Sequence, residues 1–228
     1  MVRTIFITGT DTGVGKTVLT VLLARFLRER GANAAALKPI CSGGRDDARK
    51  ISAALDGALA LDEINPWHFR VAIAPSLAAK RENKSVRLAE VLAHVRTIQK
   101  RFARLDFVLI EGAGGLLSPL GEKFDSRDLI SALRAKPIIV AQNRIGTVNQ
   151  ILLTLAALPK KFQAQAQVVL VSPEKPDISS KTNAKLLAEF FDAKRIFHLP
   201  WLSGDISESR HLRNPLARKA LAGLVKNF

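Results

Sequence analysis

The chain has 228 residues, 47 % of them apolar, and its 35 basic residues outnumber 20 acidic ones for a net charge of +15. That length and apolar content suit one sizeable core and exclude global disorder. The single cysteine, Cys41, excludes an intrachain disulfide, and no apolar run approaches the roughly 20 residues of a membrane span. The N-terminal "MVRTIFITG" is too short an apolar run for a signal peptide, so the chain reads as soluble and cytoplasmic. Its positive excess would suit a polyanion. Yet Arg25, Arg28, Arg30, Arg96, Lys100, Arg101 and Arg104 are scattered as on solvated helix faces, without interleaved aromatics. Neither nucleic acid nor a membrane is the expected partner.

"TIFITG" reads as a buried strand stopped by Gly9. "GTDTGVGKT" follows, residues 9–17, and then a helix over 16–30 with Val18, Leu22 and Phe26 beside Leu19, Leu23 and Leu27. Gly31 stands where a helix C-cap belongs. The strict phosphate-loop pattern G-x-x-x-x-G-K-[ST], counted back from Gly15-Lys16-Thr17, wants glycine at position 10. Thr10 stands there, and the glycine is one place earlier. The strand–loop–helix context still suits phosphate: inward N–H groups and a helix N-terminus both favour an anion. Lys16 would reach the outer phosphates, and the Thr17 hydroxyl would sit on Mg²⁺.

"NAAALKP" predicts a second strand, which places Lys38 at the same edge of the sheet, where a lysine can stabilise charge on a transferred phosphoryl group. Ser42 lies four residues on as a hydrogen-bond donor. In "SGGRDDARK", Asp46 and Asp47 are metal-ligand candidates or helix N-caps. Residues 57–85, with Pro66 and Pro75, are the least regular stretch and resemble a long excursion near a site. A helix is expected over 86–104 on Leu88, Val91, Leu92, Val95, Ile98 and Phe102. "DFVLIEG" is a strand ending in Glu111, a carboxylate facing the phosphate loop. "KPIIVAQ" is another, followed by a helix carrying Val148, Ile151, Leu152, Leu155 and Leu158. "QVVLVS" and "RIFHLP" are later strands with a helix at about 181–191 between them, and Pro215 opens a last helix. His68, His94, His198 and His211 show no metal-ligand spacing, and Cys41 has no partner that would make it a nucleophile. Apolar strands alternating with helices predict an α/β chain: one P-loop domain over 1–228, its mostly parallel central sheet covered by helices on both faces.

Taken in order, "GTDTGVGKT", "LKPICSG", "NPWHF…APSLAAK", "LIEGAGGLLSPL", "IGTVNQILLT" and "LPWLSGD" resemble the dethiobiotin synthetases over residues 1–205. The resemblance implies an enzyme of biotin biosynthesis that uses ATP, Mg²⁺ and CO₂ to close a cyclic urea on 7,8-diaminononanoate, through a carbamate that ATP phosphorylates. It implies a homodimer with substrate near the interface. By position it makes Lys38 and Lys16 catalytic, and it gives Mg²⁺ to Thr17, Glu111 and an aspartate best matched by Asp47, with Asp46 left open. It places ATP along Gly13, Val14, Gly15, Lys16, Thr17, Val18, Glu111, Gly112, Ala113 and Gly114, with the base near Pro200, Trp201 and Leu202. Substrate would meet Thr12, Lys38 and Ser42, and Gly146, Thr147 and Asn149 from the other subunit. The chain departs from the family pattern in the short segment between Ser42 and Asp47, in the polar "AQNRIGTVN", and at two further places. Ser172, followed by Pro173, stands where an asparagine usually reads the purine, and Ser76-Leu77 replaces a Pro-His pair. The rival reading is a ParA/MinD-like ATPase binding DNA or a membrane surface. The charge favours it, but Asp11 stands where such ATPases carry a signature lysine.

Overall fold

The structure, a computed structural model, describes residues 2–101 and 104–228. In chain order, β1 (Arg3–Gly9) runs into a glycine loop and α1 (Lys16–Glu29), and then come β2 (Ala34–Leu37), β3 (Ile40–Ser42) and α2 (Asp46–Ala54). The short α3 (Leu61–Ile64), β4 (Trp67–Phe69) and α4 (Pro75–Arg81) lead to α5 (Leu88–Arg101) and β5 (Phe107–Glu111). After these come α6 (Ser126–Leu133), β6 (Lys136–Gln142), α7 (Thr147–Ala157), α8 (Lys160–Gln163) and β7 (Gln167–Val171). The chain ends with α9 (Asn183–Leu187), β8 (Ile196–Leu199) and α10 (Pro215–Lys226).

Among the described residues, six strands form one parallel sheet in the order β2-β5-β1-β6-β7-β8, and β3 and β4 pair in a separate small sheet. Ile7 on β1 pairs with Glu111 and Ile138, and Leu37 on β2 pairs with Ile110. This register brings the carboxyl ends of β1, β2 and β5 to one edge, where open parallel sheets bind their ligands. The crossover from β1 to β2 runs one way along the sheet, and those from β5 to β6 and β6 to β7 run the other. Right-handed connection therefore puts α1 on one face and α6 and α7 on the opposite one. α1 packs on β1, β2, β5 and α10, whereas α6 meets β1 and α5, and α7 meets β6. Ile5, Phe6 and Ile7 of β1 and Leu19, Leu22 and Leu23 of α1 are fully buried. Each such side chain contributes about 1.5–3 kcal/mol on leaving water. The mostly parallel central sheet read from the apolar runs is therefore observed, with the β3–β4 pair beside it.

Several boundaries differ from the sequence reading. α1 stops at Glu29. Gly31 adopts φ 78°, and its N–H donates to the Arg28 carbonyl, the left-handed close that glycine permits. The helix expected over 181–191 shrinks to α9. A 3-10 turn at Ile178–Lys181 precedes it, because Asp177 and the Ser179 and Ser180 hydroxyls bond locally instead of continuing a helix. The helix expected over 86–104 begins at Leu88, and Phe102 lies outside the described residues. The stretch 57–85 is less irregular than expected, since Pro75 opens α4 and Pro66 immediately precedes β4. α6 escaped the reading despite its signal in "DSRD": the Asp125 carboxylate accepts from Arg127 N–H and Asp128 N–H. No helix among the described residues is long and apolar enough to cross a membrane.

Candidate active site

The loop after β1 explains its own spacing. A Cβ at Gly9 would come 2.8 Å from the Val14 side chain and 3.0 Å from the Asp11 carbonyl, so the glycine is needed at 9. Gly13 and Gly15 take φ 74° and 98°, and a Cβ on Gly15 would press on Val171 at 3.1 Å. Val14 is buried beneath the loop, and Lys16 starts α1 with its stem inside. The Lys16 ammonium donates to the Asp11 carbonyl at 2.7 Å, so the lysine arches over the loop that precedes it. Burial lowers Lys16 to about 8. The nearby Lys38 cation adds to the shift, and Glu111, Asp47 and Asp11 oppose it.

Lys38 follows β2, and Glu111 ends the neighbouring β5. Their side chains are 5 % and 0 % exposed, and the ammonium lies 2.6 Å from Glu111 Oε1. On its other side Lys38 meets Asp47 Oδ2 at 2.8 Å. Burial alone would lower Lys38, but the two carboxylates outweigh it and hold the ammonium above the usual lysine range. Burial would likewise raise Asp47. Lys38 and the Thr17 hydroxyl prevail and hold it below the usual carboxylate range. Thr17 Oγ1 donates to Glu111 Oε1 at 2.7 Å. Both donors therefore use one oxygen, and Glu111 Oε2 is buried without a hydrogen-bond partner among the described residues. A hydroxyl, an orphaned carboxylate oxygen and a second carboxylate make a hard-oxygen set that fits a small divalent cation.

The two neighbouring aspartates separate here. Neither caps α2, because Arg45 occupies that place and the aspartates form the first turn. Asp46 turns outward, its side chain 82 % exposed and paired with Arg49. Asp47 alone reaches Lys38.

A cleft of about 670 Å³ joins these groups. Thr12, Gly13, Gly15, Lys16, Thr17 and Val18 line it from the loop, with Lys38, Ser42, Asp46, Asp47, Glu111, Ala113 and Gly114 around them. Val14 and Gly112 are buried behind this lining. The Ser42 hydroxyl donates to the Ile73 carbonyl at 2.6 Å and so ties the 72–75 segment along the cleft. The wall also carries Lys50 and Ser118, which the sequence did not single out, and Cys41, which it gave no catalytic part. Pro200, Trp201 and Leu202 follow β8 outside that lining, with Trp201 half exposed. Gly146, Thr147 and Asn149 also lie outside it, at the start of α7. There Gly146 takes φ 84°, and the buried Thr147 hydroxyl has no partner among the described residues. A separate depression of about 420 Å³ lies at the far end of α1, beside Arg25, Arg28 and Asp56, away from all these groups.

A central strand running into a glycine loop and helix, with a carboxylate ending the adjacent β5 and a lysine just after β2 beyond it, defines a nucleotide-binding α/β protein of the P-loop class. The family model described as AAA domain matches residues 3–208. MinD cell division protein from Aquifex aeolicus superposes with a TM-score of 0.57 over 98 % of this chain and 96 % of that one, at 16 % identity. The MinC:MinD complex of the same organism gives 0.59 at 13 % identity, over 98 % of this chain and 94 % of that chain. At such identities the likeness shows the fold alone. Sequence relatives are nearer. ATP-dependent dethiobiotin synthetase BioD of Anaeromyxobacter dehalogenans is 37 % identical over 95 % of this chain and 98 % of its own. The protein of that name from Akkermansia muciniphila is 35 % identical over 84 % and 89 %. The chain belongs to the ATP-dependent dethiobiotin synthetase family.

Proposed function

We propose that the protein makes dethiobiotin from 7,8-diaminononanoate, CO₂ and ATP as a Mg²⁺-dependent step of biotin biosynthesis. One observation carries the reading: buried Lys38, flanked by Glu111 and Asp47, opens into the same cleft as the phosphate loop. One amine of the substrate adds to CO₂ and loses a proton, giving a carbamate. A carbamate oxygen then attacks the γ-phosphorus of ATP and ADP leaves. The second amine attacks the resulting mixed anhydride, phosphate leaves, and the ring closes. Negative charge gathers between two anions in the middle step. The chain meets it with fixed cations: Lys16 on the phosphates and Lys38 on the carbamate side. Mg²⁺ held by Thr17, Asp47 and Glu111 would neutralise phosphate charge there. No side-chain nucleophile is required. The loop N–H groups from Gly13 to Val18 and residues 111–114 would hold the triphosphate, with the base towards Pro200, Trp201 and Leu202. Thr12 and Ser42 would face the diamine.

We assign the active form as a cytoplasmic homodimer in which Gly146, Thr147 and Asn149 of one subunit receive the substrate carboxylate of the other. The N-terminus of α7, opened by Gly146, suits that anion. Ser172 uses its N–H on the Leu199 carbonyl and offers no side-chain amide to a purine, which favours relaxed base selectivity.

The direct test supplies diaminononanoate, bicarbonate and MgATP and detects dethiobiotin by mass spectrometry. Absence of product from folded protein with every nucleoside triphosphate would sink the reading. Asp47→Asn is expected to weaken the Mg²⁺ dependence of nucleotide binding by roughly 10–100-fold, while Asp46→Asn changes it by no more than about twofold. Titration of a fluorescent nucleotide with magnesium reads both, and equal effects at the two positions would refute the assignment of Asp47.

A further inference from the structure

Lys38 and Asp47 sit on different segments, and something must hold those segments in register. The Lys38 N–H donates to the Ile64 carbonyl at 3.0 Å, which fixes one side of that residue. On the other side stands Asn65, fully buried at the end of α3. Its Nδ2 donates to the Lys38 carbonyl at 2.7 Å. Its Oδ1 accepts from Arg45 Nε at 3.3 Å, and its own main-chain carbonyl accepts from the Arg45 guanidinium at 3.0 Å. Arg45 is the residue from which α2 starts, two positions before Asp47. The guanidinium also reaches the Leu61 carbonyl at 2.8 Å and Asp62 at 2.7 Å, so it is held on four sides. The Cys41 thiol lies 3.1 Å from Asn65 Oδ1, on the strand that follows Lys38. One amide therefore spans the lysine strand end and the aspartate helix start, with its donor and its acceptor both used.

We propose that Asn65, acting with Arg45, is a positioning residue that sets the register between Lys38 and Asp47 and so builds the cation site of the cleft. Neither side chain lines the cleft, and neither touches the reacting groups. A merely structural asparagine would stabilise the α3–β4 turn and leave the chemistry of the folded fraction unchanged. A positioning one couples energetically to Asp47. Removing it frees α2 to shift, and a displacement of even an ångström at such a centre weakens it severely.

This inference rests on the assignment of Asp47 and Lys38 above, so its test does not use dethiobiotin as readout. The full chain is titrated with Mg²⁺ in the presence of a fluorescent ATP analogue, as wild type, Asn65→Ala, Arg45→Met, Asp47→Asn and the pairwise combinations. Asn65→Ala and Arg45→Met are each expected to weaken the apparent Mg²⁺ affinity roughly tenfold. Added to Asp47→Asn, either should cost no more than about twofold further, because both act through the same carboxylate. Effects that multiply, or an unchanged Mg²⁺ dependence in folded variants, overturn the proposal. If Asn65→Ala fails to fold by circular dichroism, the Arg45→Met cycle carries the same test. Asp62→Asn, which removes only an exposed partner of Arg45, is expected to leave the titration unchanged.

Cys41 supplies a second readout without nucleotide. Its labelling by an aromatic disulfide should speed up at least roughly tenfold in Asn65→Ala, since the thiol loses a hydrogen-bonded wall. An unchanged rate counts against the proposal. A wild-type chain that binds MgATP yet makes no dethiobiotin refutes the functional reading and leaves the cycle to decide this one.

Discussion

Lys38→Ala is expected to lower dethiobiotin formation at least roughly 10²–10³-fold, the usual loss when one preorganised charge at a transition state is removed. The group is fixed before substrate arrives, by Glu111 at 2.6 Å and Asp47 at 2.8 Å, so it needs no reorganisation during reaction. The same substitution should also destabilise the fold. Glu111 has a fully buried side chain, and without the ammonium it keeps the Thr17 hydroxyl as its partner. Breaking one side of a buried ion pair costs about 3–5 kcal/mol. Turnover per folded molecule must therefore be measured with a denaturant melt of the same sample. A folded Lys38→Ala protein with turnover within tenfold of wild type would remove this lysine from the mechanism.

Lys16→Met should do the opposite to stability. Burial penalises the charge of Lys16 and lowers its pKa from the ordinary 10.5 to about 8 in the fold. Between those values the unfolded chain binds more protons, so the stability of the wild type rises as pH climbs through that window. The lysine is most costly below about 8. Methionine keeps an apolar stem and needs no charge, though it loses the hydrogen bond to the Asp11 carbonyl. At pH 7 the variant without nucleotide is expected to melt higher by on the order of a few degrees, with the gain fading towards pH 10.5. Nucleotide affinity should fall roughly 10–100-fold, since charge-assisted bonds to phosphate vanish. Melts at pH 7 and 10 and a nucleotide titration check both halves. A Lys16→Met protein that melts lower at pH 7 would show that the lysine is held at no cost. A buried charge of this kind is common where function and stability compete.

Local chemistry made much of this legible in the sequence. Gly9 and Gly15-Lys16-Thr17 announce a strand, a loop and a helix within a few residues, and "FVLIEG" marks a buried strand ending in charge. Pro215 opens α10 as read, because its missing N–H is harmless at a first helical position. The choice between Asp46 and Asp47 was not legible. Adjacent residues on a helix point about 100° apart, and only the packing of α2 against α1 and α3 decides which one turns inward. Asn65 was hidden for a similar reason. Its partners Lys38, Cys41 and Arg45 are distant in sequence, and nothing in "INPWHF" signals an amide bridging two segments. Short elements such as β3 and α9 were lost or overdrawn because so few residues leave no period to detect.

The strand that carries the phosphate loop is synthesised well before either of its neighbours, yet it lies in the middle of the sheet. Its neighbours β5 and β6 arrive only with Phe107 and Lys136. At roughly 5–20 residues per second, Ile5, Phe6 and Ile7 wait several seconds or more with both hydrogen-bonding edges open. Parallel pairing at such separation is slow to form and exposed to aggregation meanwhile. The nucleotide loop therefore cannot serve as an early nucleus. Its shape is inherited from a sheet completed last, and a nascent chain halted before β6 would be a client for chaperones instead of a partly working enzyme.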